Sequence, residues 1–339
     1  MQPPKSTLTH SLTLLLLLSI TLMIAQVPEP DGAGVQPGVL PDDWIVGGPK
    51  CMEVPEFQVH EYNEDFYILR QSGCSHYEKP FLYLIFGDEK AILFDTGAGV
   101  AQVFRTVNET IEKWLQRKGR ESIPLEVVHT HNHGDHTAGD AQFKNRPNVT
   151  FVSAELGEVK KFFGFTQWPE QVVNYDLGNR VLEIFGVPGH EQASIAIYDR
   201  QTGVLITGDI VYPGRLYINE PDAFKASIQR MLDFTRNRVV THVLGCHIEQ
   251  TDTPYLEYPI GTIYQPNEHR LELSRGHLLE LHDVVRDLKG ELPRIALRDM
   301  TIYPVTPQIW EALRARRKEV EDRQRTSMWN QSQPEETTP

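Results

Sequence analysis

The stretch His129-Thr-His131-Asn-His133-Gly-Asp135-His136 packs four histidines and an aspartate into eight residues. Protonated imidazoles this close would repel one another, whereas neutral imidazoles and a carboxylate are the ordinary surroundings of a divalent transition metal. The stretch follows the β-rich run LEVV, so it falls where a chain leaves a sheet and side chains can converge on one point. One segment cannot complete a tetrahedral site, and further ligands must come from elsewhere in the fold. Three lone residues end comparable runs: His190 in VPGH, Asp209 in ITGD and His247 in LGCH, each behind apolar residues and a glycine. Any one of them alone is more often structural. Three in a chain that already carries a His/Asp cluster favour a metal centre.

The spacing H-x-H-x-D-H at His131, His133, Asp135 and His136, with His190, Asp209 and His247 following in order, resembles the metallo-β-lactamase superfamily of metal-dependent hydrolases. The resemblance runs from about Phe66 to His247 and includes Asp95-Thr96-Gly97 at an earlier strand end. It implies an α/β class and an αβ/βα four-layer sandwich with mixed sheets, the metal site lying at one edge. By resemblance, His131, His133 and His190 hold one divalent ion, Asp135, His136 and His247 hold a second, and Asp209 bridges them. Two zinc ions are expected, with iron as the alternative. Asp95 resembles the acid that orients a ligand histidine in such sites, a role whose loss weakens metal binding 10- to 100-fold. His129 does not fit the motif register and reads as a strand-end structural residue.

The chemistry implied is hydrolysis by a bridging hydroxide, oriented by Asp135, on an ester, lactone or thioester. Tyr212 is similar in placement to a tyrosine with which lactonases of the family touch the substrate; the alternative is an aromatic ring packed beside the site. β-Lactamase or sulfatase activity stands as an alternative on the same fold, and a di-iron redox enzyme of the persulfide dioxygenase or flavodiiron kind as another. The carboxylate at Asp209 favours the glyoxalase II-like thioesterases and lactonases over zinc β-lactamases. After His247 the segment IEQTDTPYLEYPIGTIYQPNEHRLEL carries no recognisable order of basic residues to grip a glutathione carboxylate. Tyr255, Tyr258 and Tyr264 there read equally as a loop over the metals or as a surface excursion, and Arg215 and Tyr217 have no motif that assigns them a role.

The elements that position these residues follow from the pattern. Short β-rich runs at FYILR, FLYLIF, KAILFDTG, LEVVHTH, RVLEIFGV, SIAIYD, VLITGD and VVTHVLG alternate with helical stretches, which is the α/β signature. Val103, Val107, Ile111, Trp114 and Leu115 make the apolar stripe of a helix over 101–118, stopped by Gly119. Further helices are predicted near 154–163, 222–237 and 267–289. Arg200-Gln201-Thr202-Gly203 joins SIAIYD to VLITGD as a hairpin, so part of the sheet is antiparallel.

The chain has 339 residues, a formal charge of −13 and 40% apolar residues, the composition of a folded protein. An acidic balance lacks the basic footprint of a nucleic-acid binder, which leaves a small-molecule substrate as the expected partner. Lys5 followed by the apolar stretch Leu12–Ala25 reads as a signal peptide over 1–25, hence a secreted or periplasmic protein with no membrane span after its removal. Residues 26–55 read as a Pro/Gly-rich linker or arm, 56–317 as the metallo-β-lactamase-like domain with its C-terminal helices, and 318–339 as a polar tail frayed at its end. Cys51 and Cys74 can pair or stand as two unrelated thiols, and Cys246 reads as a small core residue.

Overall fold

The computed structural model describes residues 34–48, 51–289 and 292–332. The signal segment 1–25, the start of the arm and the tail beyond 332 lie outside the described residues. Among those described, no helix is long and apolar enough to cross a membrane.

The chain first lays down β1 (Phe57–Asn63), β2 (Phe66–Gln71), β3 (Phe81–Phe86) and β4 (Ala91–Phe94), then α1 (Val103–Lys118), β5 (Leu125–Val128), α2 (Gly134–Thr137) and β6 (Val149–Phe151). These strands form a six-stranded sheet in sequence order. It is antiparallel as far as β4 and parallel from β4 to β6.

Next come α3 (Leu156–Phe163), β7 (Val172–Asp176), β8 (Val181–Gly186), β9 (Ile195–Asp199), β10 (Val204–Gly208), β11 (Arg215–Ile218), α4 (Pro221–Phe234), β12 (His242–Gly245), β13 (Glu272–Leu273) and α5 (Arg275–Val285). A second six-stranded sheet has the order β13-β12-β10-β9-β8-β7. The chain ends in β14 (Ile295–Ala296), β15 (Thr301–Pro304) and the long α6 (Pro307–Ser332), and β11, β15 and β14 form a small third sheet.

Three apolar cores define four layers. Phe66, Ile68, Tyr83 and Phe94 of the first sheet meet Leu182, Ile184, Ile197 and Ile206 of the second in the central core. The other face of the first sheet, with Leu69, Leu84 and Val127, packs on Val103, Val107, Ile111 and Trp114 of α1. The far face of the second, with Phe185, Ala196 and Leu205, packs on Phe224, Ile228 and Met231 of α4 and Leu278 and Leu281 of α5. Sheets covered on both faces must be apolar on both, which is why β2, β3, β9 and β10 are buried at every position.

The sandwich expected from the motif is therefore the observed architecture, and the β9–β10 hairpin is antiparallel as its turn residues require. Two expectations change, and of the linker and arm alternatives for 26–55 the described part takes the arm. Residues 267–289 hold a single helix, α5, capped by Ser274 and preceded by β13. The polar stretch from Lys318 does not start a tail, because α6 runs unbroken through it to Ser332. The described part of the arm 26–55 wraps the body: Gln36 N donates to Gln201 O, Val39 N to Tyr62 O and Gly47 N to Ile263 O. Trp44 packs edge-on to Phe81 at 4.9 Å, so an apolar anchor makes this segment part of the core. Cys51 and Cys74 are disulfide-bonded, with Cα atoms 5.1 Å apart.

Candidate metal centre

Parallel pairing places the candidate residues on one edge. β4 and β5 run parallel, so Asp95 and the His129–His136 turn leave the first sheet side by side. β10 and β12 run parallel in the second, so Asp209 and His247 do the same opposite them. Gly208 adopts φ +54, a conformation costly for residues with a Cβ, and so turns Asp209 into the centre. Gly245 is required for another reason: a Cβ there would lie 2.3 Å from the Tyr212 Cβ.

Seven residues converge in two groups, His131, His133 and His190 in one, and Asp135, His136, Asp209 and His247 in the other. In the first, His133 Nδ1 lies 3.1 Å from His131 Nε2 and 2.9 Å from His190 Nε2. In the second, His247 Nε2 lies 3.3 Å from His136 Nε2 and 3.2 Å from Asp135 Oδ2. One oxygen joins the groups: Asp209 Oδ2 stands 3.4–3.8 Å from His131, His136, His190 and His247.

The outward nitrogens decide what the inward ones can be. His136 Nδ1 faces Asp95 Oδ2 at 2.9 Å, His190 Nδ1 faces Tyr217 O at 2.7 Å and His247 Nδ1 faces Glu78 O at 3.0 Å. The Thr130 hydroxyl donates to Asp95 Oδ2, so it accepts from His131 Nδ1 at 3.1 Å. Each of these four rings commits its N–H to an oxygen, and in the neutral ring the inward Nε2 is then a lone pair. Lone pairs and carboxylates facing one another at these distances need a cation between them. The Asp209 Oδ1 atom is buried without a hydrogen-bond partner, a further acceptor for such a cation.

The proton affinities divide the same way. Burial lowers His131 and His190 and brings His133 to about 4, so the first group is neutral at pH 7. In the second, burial opposes charge but the carboxylates outweigh it: Asp135, Asp95 and Asp209 hold His136 well above its ordinary value, and Asp209 and Asp135 raise His247. Asp135 and Asp209 are held well below the ordinary carboxylate range, against burial, by those imidazoles. Positive charge is thus demanded at the centre, which divalent metal ions supply. The residues present can hold such ions.

The model of the metallo-β-lactamase superfamily matches residues 80–241. A probable metallo-hydrolase of Methanocaldococcus jannaschii, MJ0888, is 31% identical over 166 residues, covering 43% of this chain and 72% of that protein. This chain belongs to the metallo-β-lactamase superfamily. The acyl-coenzyme A thioesterase MBLAC2 of Bos taurus is 25% identical over 202 residues, 49% of this chain and 72% of the relative. A hydroxyacylglutathione hydrolase of Gloeothece citriformis is 30% identical over 152 residues, 41% of this chain and 57% of the relative. A solved metallo-β-lactamase from Pontibacter korlensis overlaps 68% of this chain and 100% of its own at 16% identity and a TM-score of 0.46.

In this metallo-β-lactamase superfamily member the remaining candidates lie around the two groups. Asp95 accepts from Thr130 N, the Thr130 hydroxyl and His136, as an orienting acid should. His129 stands outside both groups, its Nε2 2.8 Å from Asp140 Oδ1. Cys246 is free and buried, with Sγ 3.5 Å from Asp95 Oδ2. Tyr212 lines the cleft above Asp135, Asp209 and His247, but its hydroxyl donates to Arg215 O with Glu249 Oε2 3.2 Å away. Arg215 is tied to Glu249, Glu257 and the Tyr258 carbonyl, and so braces the cleft wall.

The motifs left out the opposite wall. Glu78, Trp310 and Arg317 come to the metal groups from the β2–β3 loop and from α6, far from them in sequence. The one available signal was the spacing Trp310, Leu313, Arg317, Val320, Gln324, a helical seam inside a stretch that otherwise reads as polar.

Proposed function

We propose that this chain is an exported dinuclear hydrolase of ester or thioester bonds, lactones included, using two zinc ions. The observation that carries the reading is the single Asp209 oxygen, within 3.4–3.8 Å of imidazoles from both groups whose outward nitrogens are already committed. His131, His133 and His190 would hold one ion, Asp135, His136 and His247 the other, with Asp209 between. When bound, such a pair polarises the acyl carbonyl and lowers the pKa of water so that hydroxide is available near neutral pH.

The protein's own residues do the rest. Asp135 lines the cleft, and its carboxylate accepts a hydrogen bond from the attacking water and orients it. The water oxygen bonds to the acyl carbon, the C–O or C–S bond breaks, and the proton taken at Asp135 leaves with the alcohol or thiol. Asp95, the Tyr217 carbonyl and the Glu78 carbonyl keep the imidazoles from rotating. Relatives named as an acyl-coenzyme A thioesterase and a hydroxyacylglutathione hydrolase support the thioester reading. Export is supported by the apolar stretch Leu12–Ala25 and by the Cys51–Cys74 disulfide, a bond that persists in oxidising compartments.

The experiment is elemental analysis of the purified protein, with turnover of aryl ester, lactone, thioester and β-lactam substrates before and after chelation. About two zinc ions per chain and chelator-sensitive ester or thioester hydrolysis are expected. Asp135→Asn removes a carboxylate from the second group and the proton acceptor together, so it should weaken binding of the second ion and lose turnover by about 100-fold or more even at saturating metal. Two irons without hydrolysis, or no metal at all, would overturn the reading. N-terminal sequencing of the exported protein tests the signal segment, which falls if the sequence begins at Met1.

A further inference from the structure

The cleft beside Asp135, Asp209 and His247 is lined by three cations, Lys79, Arg215 and Arg317. Two are held by several hydrogen bonds each. Lys79 Nζ donates to Tyr77 O at 2.9 Å and Thr262 O at 3.0 Å. Arg215 donates to the Tyr217 hydroxyl, Glu249, Glu257 and Tyr258 O. Arg317 differs: its Nε lies 3.5 Å from Glu78 Oε1, and among the described residues its side chain makes no hydrogen bond.

Its position is nevertheless fixed. α6 is fastened on both sides of Arg317 by residues one heptad away on the same face. Trp310 Nε1 donates to Asn219 Oδ1, and its ring lies 6.3 Å from that of His133. Gln324 accepts from Tyr77 N and donates to Gly73 O and Cys74 O. Between these anchors the Arg317 guanidinium sits 5.8 Å from the rings of both Tyr217 and Trp310. Its side chain is 27% exposed, so a ligand in the cleft can reach it. A guanidinium carries five N–H donors in a fork that matches a carboxylate or phosphate edge, and here most of that fork points at no acceptor.

We propose that Arg317 is a specificity-determining residue whose guanidinium receives an oxyanion of the substrate, a carboxylate or a phosphate, in exchange for its contact with Glu78. This deepens the hydrolase reading and rests on it for the bond that is cut. Arg317 binds and orients the substrate and takes no part in bond breaking. Glu78 holds the guanidinium while the cleft is empty.

The test uses the metal-loaded protein and acetyl thioesters of three thiols of similar size: 3-mercaptopropionate, 2-mercaptoethyl phosphate and the neutral 3-mercaptopropanamide. A succinyl thioester of the neutral thiol places the anion on the acyl half instead. Wild type should favour at least one anionic substrate over its neutral match by about tenfold in kcat/KM, carried by KM. The preferred substrate identifies the oxyanion and the half that bears it. Arg317→Gln should bring that ratio to about one, and Arg317→Lys, which keeps the charge and loses the fork, should leave it between the two. Equal rates for all four in wild type, or a ratio unchanged in both variants, would overturn the proposal. So would an equal loss on every substrate, the mark of a structural role. In parallel, calorimetry with the uncleavable S-ethyl thioethers of the three thiols reads binding alone. Arg317-dependent binding of an anionic thioether without turnover of any thioester, ester or lactone would sink the hydrolase reading and keep this one. Turnover without anion discrimination would do the reverse.

Discussion

Asp95 Oδ2 stands 2.9 Å from His136 Nδ1, and Asp95 holds that position from a left-handed backbone conformation at φ +72. A non-glycine residue pays a steric penalty there, tolerated more readily by Asp than by most, and the strain places a carboxylate under His136 and Thr130 at once. Asp95→Asn presents an amide that can turn its NH2 toward the ring and release the tautomer. Metal affinity should fall 10- to 100-fold, read by competition with a chromogenic zinc chelator. Wild-type affinity in a folded Asp95→Asn protein would show that His136 is oriented by packing instead.

Most of this centre was legible because its residues end β-strands whose apolar runs announce themselves. Asp95, His131–His136, Asp209 and His247 each follow a buried strand, and parallel pairing does the rest. Strands with weak signatures were not legible: β7 is exposed at every other position, and β11 is four residues long and paired with β15, which lies beyond α5 in the chain. Trp310 and Arg317 escaped because α6 buries only a narrow seam, so charge dominates its composition. The Arg317–Glu78 and Trp310–His133 contacts join residues more than 170 positions apart, and no local pattern encodes them.

The disulfide and α6 share a loop. Cys74 is bonded to Cys51, 23 residues earlier in the chain, and its carbonyl, with that of Gly73, accepts from Gln324. The same loop supplies the Glu78 carbonyl to His247. Cys51→Ser with Cys74→Ser should lower stability by about 3 kcal/mol through the freed unfolded chain. It should also hasten proteolytic cleavage of α6. Calorimetry and limited proteolysis check the two effects, and an unchanged melting temperature would remove the loop as an anchor.

Burial lowers the Lys79 ammonium to about 7, with Glu268 and Arg70 acting in opposite senses. In the unfolded chain a lysine titrates near about 10.4, so between these values the unfolded state binds more protons than the folded one. Stability from this group therefore rises with pH across that window, and the cost of burying the charge is borne in full below it. From pH 7 to 9, wild type should gain about 2 kcal/mol more than Lys79→Met, both at the same metal load. Urea unfolding at the two pH values measures it. Equal gains in both proteins would place the Lys79 titration elsewhere.

Tyr212 occupies the place where a substrate contact is expected, yet its one proton goes to the Arg215 carbonyl. Burial, followed by the nearby Glu249 and Asp209 charges, pushes its phenol well above the usual range, so it does not ionise at working pH. Removing the hydroxyl should then cost its own contacts with the Arg215 carbonyl and Glu249 and little chemistry. Tyr212→Phe is expected to lose about 1–2 kcal/mol of stability while turnover stays within about threefold. A hydroxyl that stabilised charge on the substrate only in the transition state would behave otherwise, lowering kcat by about 100-fold or more at unchanged KM. Steady-state kinetics with denaturation of the same preparation separates the two, because the Arg215 carbonyl can hold the proton or yield it but cannot do both at once.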